Sequence, residues 1–218
     1  DNVADLKLGP LEVSEPLIAD SKALLISGTA LAASPSREAV FVALEYARAY
    51  GTPVAFDIDY RPYTWKSPEE TAVYCHLVAE KSDIILGTRE EFDSMERFEQ
   101  NADGSDRYTA AKWFERGAKL VVITHGTEGS IAYTQDGLEH RAPSYPAKVI
   151  KTFGAGDAYA SGFLHGLMSG WDVARSMAFG GAAASIVISS HSCSDAMPTA
   201  EAVEDYIQRC ERGEITAG

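Results

Sequence analysis

From about residue 21 onward, short apolar runs rich in strand formers alternate with segments of helical periodicity, and that alternation leaves few folds open. Residues 23–27 (A-L-L-I-S) read as a buried strand, and 36–50 as a helix with Ser36 as its candidate cap and Gly51 as its stop. A strand is expected over 53–57, a helix over 68–80, a strand over 83–87 and a helix over 106–116. The strongest strand signal is 119–124, where V-V-I-T follows K-L. Residues 130–134 and 138–142, split by Asp136-Gly137, read as a hairpin. Helices over 155–169, about 172–188 and 199–211 close the chain. The expectation is one α/β domain over 1–218, with a mostly parallel central sheet covered by helices on both faces. Ligands of such sheets bind outside the carboxyl ends of the strands, here just after Ser27, Asp57, Gly87 and Thr124. The polar loop 101–106 (N-A-D-G-S-D) is the candidate mobile segment.

A chain of 218 residues with 45% hydrophobic content can bury a sizeable core. No apolar run approaches the roughly 20 residues that span a bilayer, and no charged-then-apolar leader is visible, so neither a membrane nor a secretory route is expected. Cys75, Cys193 and Cys210 are odd in number and scattered, which disfavours a disulfide framework or a zinc site and fits a reducing cytoplasm. A net charge of −13 argues against nucleic acid as a partner, which needs a basic face. It does not argue against a small phosphate ligand, because helix N-termini and a metal ion supply local positive field. The chain opens on Asp1 rather than methionine, as a processed, trimmed or partial chain does.

The most chemically suggestive stretch is 151–163, K-T-F-G-A-G-D-A-Y-A-S-G-F. A glycine turn opening a helix presents backbone N–H groups to an anion, and Asp157 on the first turn can take a proton from a hydroxyl attacking a phosphate. The same pattern also suits a plain turn with Asp157 as a helix-start residue. After the second strand, D-I-D-Y-R-P-Y-T-W (57–65) sets two acids and Arg61 at a strand end, either for a carboxylate or phosphate or as an internal Asp–Arg pair in a turn. In G-T-R-E-E-F (87–92), Glu91 is either close to a metal ion's waters or part of a solvated first helical turn. T-H-G-T-E-G (124–129) is either a nucleotide-approaching loop or a tight turn into the hairpin. No lysine completes a Walker loop there, and Tyr159 stands where a dinucleotide fingerprint needs its third glycine. The histidines at 76, 125, 140, 165 and 191 have no ligand spacing and read as surface or packing. Residues 182–188 form a small-residue helix face, and Tyr159, Phe163 and Leu167 recur at core spacing.

Together, G-A-G-D-A-Y-A-S-G-F at 154–163, D-I-D-Y-R-P-Y-T-W at 57–65, T-R-E-E-F-D at 88–93 and H-S-C-S-D-A-M-P at 191–198 resemble the ribokinase-like, or phosphofructokinase B type, carbohydrate kinases. The last three blocks resemble a narrower branch of inositol catabolism acting on 5-dehydro-2-deoxygluconate. The resemblance implies a three-layer α/β/α fold and cytoplasmic transfer of phosphate from ATP, with Mg2+, to the primary hydroxyl of a sugar acid. It casts Asp157 as general base and the N–H groups of Gly154, Ala155 and Gly156 as an anion hole for the transferred group. By the same resemblance Thr124, Gly126, Thr127, Gly129 and Gly181 line the ATP site, Glu91 lies near Mg2+ through water, and Asp59 and Arg61 face the sugar acid. The alternatives are a 2-keto-3-deoxygluconate kinase or other sugar kinase, a non-catalytic nucleotide-binding domain, or a phosphatase using D-x-D at 57–59. The last is disfavoured because Arg61 falls where that class carries Thr or Val.

The chain departs from the family pattern at four points. Lys151 replaces an aspartate that helps bind a monovalent cation in many members, so potassium independence is expected. Thr88 replaces an asparagine of an N-x-x-E pattern, and Gly181 an asparagine near the nucleotide. The amino-terminal strands and β lid of the family are missing, so this chain is read as the carboxy-terminal, nucleotide-binding portion. Alone it is expected to phosphorylate poorly or not at all, and any homo-oligomer belongs to the full-length protein.

Overall fold

The strands are Leu24–Ser27 (β1), Val54–Asp57 (β2), Ile84–Thr88 (β3), Leu120–Thr124 (β4), Ser130–Thr134 (β5) and Glu139–Ala142 (β6). They form a six-stranded sheet in the sequential order β1-β2-β3-β4-β5-β6. The structure is a computed structural model describing residues 4–99, 104–192 and 194–216, so Cys193 and part of the expected loop at 101–106 lie outside it. β1 pairs with β2 in parallel, Leu24 opposite Val54, and β2 with β3, Ala55 opposite Ile84. β2, β3 and β4 are buried at nearly every position, as parallel strands covered on both faces must be. β5 and β6 are joined by Asp136-Gly137, where Thr134 N–H donates to Leu138 O at 3.0 Å and Gly137 takes φ 90°. The mostly parallel α/β expectation holds.

The helices are Glu15–Ala19 (α1), Ser36–Tyr50 (α2), Pro68–Ala79 (α3), Arg89–Met95 (α4), Asp106–Glu115 (α5), Ala155–Met168 (α6), Val173–Ile188 (α7) and Ala200–Glu211 (α8). Gly51 ends α2 in the left-handed conformation, φ 69°, as expected. Ser36 is not the cap: Pro35 holds that position, and the buried Ser36 donates its hydroxyl to Ala30 O at 2.7 Å. The short α1 and α4 escape a periodicity reading because five and seven residues barely complete a repeat.

The chain divides into two compact units. The first runs to Ile123 and takes in Tyr133–Leu138; the second is Thr124–Ala132 with the chain from Glu139 onward. Phe56, Ile58, Ile85, Val121, Ile123, Phe92 and Trp113 fill the core of the first. The core of the second gathers Ala158, Phe179, Ala182, Ala183, Val187 and Val203. Its α6 and α7 touch through glycines: a Cβ on Gly162 would lie 3.0 Å from Gly180 Cα, and one on Gly180 would lie 2.8 Å from Tyr159 O. Of the small-residue face read at 182–188, Ala182, Ala183 and Val187 are buried in this core, and Ala183 Cβ lies 3.3 Å from where a Cβ on Gly162 would stand. Tyr159 and Phe163 are buried as expected, with the Tyr159 hydroxyl donating to Ser130 Oγ at 2.8 Å; Leu167 is half-buried.

Candidate active site

In the first unit, three strand ends support a polar turn. Ile58 continues the β2 ladder, its N–H on Leu86 O at 2.9 Å, and its side chain is fully buried. Glycines flank it on both sides, Gly28 just past β1 and Gly87 within β3. A Cβ on Gly28 would stand 2.0 Å from Ile58 O, and one on Gly87 would stand 2.9 Å from Ile58 Cδ1. These neighbours let the chain rise directly after Ile58 into Asp59, whose φ is 38°. It is the one non-glycine with positive φ among the described residues, a conformation that costs of order 1–2 kcal/mol.

The turn is tied from three sides. Ser27 Oγ donates to Asp59 Oδ2 at 2.8 Å and lies 2.7 Å from Thr29 Oγ1. Asp59 Oδ1 is 2.6 Å from Arg61 Nη2, so the internal Asp–Arg pair is formed. The Tyr60 N–H donates to Glu91 Oε1 at 2.9 Å, and the Thr88 N–H to Glu91 Oε2 at 2.8 Å. Thr88 Oγ1 in turn accepts from the Glu91 N–H at 3.2 Å, a capping box that starts α4. Glu91 is therefore no solvated helix-turn residue. Burial, outweighing the two backbone N–H groups, raises its pKa above the usual carboxylate value. Asp59, Arg61 and Glu91 thus come together, with Ser27 as a member that the sequence reading placed at a strand end without giving it a task.

In the second unit, Gly154 caps α6 with φ 86°. The Ala155 N–H donates to Thr152 O at 3.3 Å, which turns that group of the expected anion hole toward the protein. Gly156 is exposed, and a Cβ there would meet nothing within 4 Å, so the first turn offers open space to a ligand. Asp157 is exposed on that same turn. A helix N-terminus with an open glycine face fits a phosphate group.

The loop after β4 is a 3₁₀ turn over Gly126–Glu128, closed by the His125 N–H on Gly129 O at 2.8 Å. Thr124 is half-buried at the strand end, while Gly126 and Thr127 are exposed. Gly129, at φ 94°, sits so close to Ala142 that a Cβ would lie 2.1 Å from its carbonyl oxygen. The segment that follows Ala142 joins the remaining candidates. Ser144 Oγ donates to Thr127 O at 2.7 Å, and the Tyr145 ring is 3.6 Å from where a Cβ on Gly181 would stand. Gly129, Thr127 and Gly181 therefore border one stretch, 142–145, which lacks a glycine signature and passed unremarked in the sequence. Among the described residues no His/Cys/Asp/Glu group of three or more is placed to hold a metal ion. Glu91, with both oxygens already accepting, fits a contact to a hydrated Mg2+ through water rather than direct ligation.

The chain is 61% identical over 214 residues to the 5-dehydro-2-deoxygluconokinase of Geobacillus kaustophilus (strain HTA426), covering 98% of this chain and 63% of that protein. The 5-dehydro-2-deoxygluconokinase of Bacillus anthracis is 62% identical over 211 residues, 97% of this chain and 64% of that one. The chain thus spans less than two thirds of the length of these curated relatives. Among solved structures, the fructokinase of Xylella fastidiosa with bound ATP superposes with a TM-score of 0.82 at 21% identity, over 97% of this chain and 68% of that one. The fructokinase of Vibrio cholerae O395 bound to fructose, ADP and calcium gives 0.80 at 21%, over 95% and 66%. Both share the ribokinase-like α/β fold read from the motifs. The profile of the pfkB family carbohydrate kinases matches residues 1–200, and the chain belongs to that family.

Proposed function

We propose that this chain carries the nucleotide side and the general base of a cytoplasmic, ATP-dependent kinase for a sugar acid. The substrate class follows from the relatives' names: 5-dehydro-2-deoxygluconate, phosphorylated at its primary hydroxyl, within inositol catabolism. The observation that carries the chemistry is the exposed Asp157 on the first turn of α6, beside the open face at Gly156. There the carboxylate accepts the hydroxyl proton as the sugar oxygen bonds to the γ-phosphorus and the bond from that phosphorus to the bridging oxygen of ADP breaks. N–H groups at Gly154 and Gly156, and the helix dipole, offset the charge on the transferred group. Thr124, Gly126, Thr127, Gly129 and Gly181 would border the rest of ATP, and Arg61 would meet the sugar carboxylate. Glu91 would meet Mg2+ through water, and the metal would supply neutralisation of phosphate charge. A reducing compartment suits Cys75 and Cys210, both free thiols; burial pushes the Cys75 thiol pKa well up, so it is inert.

Because this chain alone is expected to turn over poorly, the test is phosphorylation of 5-dehydro-2-deoxygluconate and of 2-keto-3-deoxygluconate by a full-length protein that contains it, and by the Asp157→Asn variant of that protein. The first acid should be the better substrate, and Asp157→Asn should lower kcat by about 10²–10⁴. A variant with unchanged kcat removes Asp157 from the role of base.

A further inference from the structure

The geometry points to Ser27 and Asp59 as positioning residues that hold Arg61 in the orientation from which it reads the substrate's carboxylate. The inference rests on the sugar-acid reading above and assigns a task that the motifs did not separate, because Asp59 there stood beside Arg61 as a second contact to the sugar.

Both oxygens of Asp59 have partners: Oδ2 takes the Ser27 hydroxyl at 2.8 Å and Oδ1 the Arg61 guanidinium at 2.6 Å. Its side chain is 12% exposed, against 28% for Arg61, so the outer member of the pair is the cation. A second carboxylate approaching Asp59 would meet like charge, whereas one approaching Arg61 meets a planar fork of N–H donors. Asp59 takes an unfavourable backbone conformation in this place, and strain at a polar strand end persists only where surrounding contacts over-determine it. Those contacts come from two other strand ends: Ser27 at the end of β1 holds the Asp59 side chain, and Glu91 after β3 holds the Tyr60 N–H at 2.9 Å. Ser27 is itself set by Thr29 Oγ1 at 2.7 Å, two residues on. The order of support runs from Thr29 and Ser27 through Asp59 to Arg61. Removing the hydroxyl should free the guanidinium without touching Asp157 or the α6 turn.

The experiment follows arginine modification by phenylglyoxal in the 218-residue chain, read residue by residue through peptide mass spectrometry. Arg61 should react at least about fivefold faster in Ser27→Ala and in Asp59→Asn than in the parent. Ser27→Thr, which keeps the hydroxyl, should return it to the parent rate. Arg37 and Arg89, held in their own ion pairs, report that each variant is folded. An Arg61 rate unchanged in both Ser27→Ala and Asp59→Asn overturns the proposal.

A second arm adds ligand. In the parent, 5-dehydro-2-deoxygluconate should shield Arg61 while the neutral sugar 2-deoxyglucose does not. In Ser27→Ala the half-shielding concentration of the acid should rise about tenfold. If the acid leaves the parent's Arg61 unshielded, the sugar-acid reading fails, and the first arm still decides whether Ser27 and Asp59 hold the guanidinium.

Discussion

Glu96, just past α4, shows what burial does to a carboxylate that no mechanism needs. It is 8% exposed and accepts from Trp113 Nε1 at 2.8 Å, Thr109 Oγ1 at 3.0 Å and Arg89 Nη2 at 3.3 Å. Burial nevertheless dominates and raises its pKa above the ordinary 4.5, with Glu99 adding like charge and Arg89 opposing it. The folded chain therefore binds this proton more tightly than the unfolded chain. The stability from that difference is complete below about pH 4.5 and is lost as pH rises through the raised folded value. Glu96→Gln cannot titrate, so its Tm should fall less between pH 4.5 and pH 7 than the parent's. Parallel slopes across that window in thermal melts would show that other groups set the dependence.

At the scale of elements, the contact between α6 and α7 is the most exacting. A methyl on Gly180 would press on the Tyr159 carbonyl at 2.8 Å, a backbone atom that cannot swing aside. Gly180→Ala should cost about 1–3 kcal/mol, measured by urea unfolding. Gly181→Ala on the same helix meets the Tyr145 ring at an ordinary 3.6 Å and should leave the midpoint nearly unmoved. Helix propensity favours alanine at both positions, so a loss confined to Gly180→Ala reports the close approach, and equal changes would show that it does not decide. Elements of this length were legible in the sequence because ten or more residues repeat an apolar face: α2 matches its expected span at both ends, and α7 differs by one residue. Caps were less legible. Ser36 carries the right side chain one residue too late, because the Pro35 position before it already serves as the cap. The site divides the same way. Asp157, Gly154 and Glu91 stand in compact motifs, whereas Ser27 reaches Asp59 across 32 residues, a separation that local pattern does not encode.

For the molecule as a whole, a net charge of −13 sets the terms on which a nucleotide arrives. ATP carries like charge, so on the proposed reading its binding would rely on local donors and on magnesium. Nucleotide at about 100 times its Kd should stabilise the chain by about 2.7 kcal/mol. For a chain of this size that is a Tm rise of roughly 5–10 °C by scanning calorimetry. The rise should shrink without Mg2+ and persist in Asp157→Asn, whose carboxylate serves the hydroxyl rather than the nucleotide. No rise with or without the metal would take ATP from the reading. The left-handed backbone at residue 59 has a consequence for how such a chain could be evolved in the laboratory. Glycine adopts that conformation without the Cβ clash, so a library sorted for thermal tolerance alone should drift to glycine at this position and discard the arginine's anchor. A library sorted for turnover on the acid should keep aspartate and accept the lower melting point. The residue that wins at position 59 thus reports which of the two pressures the chain was under.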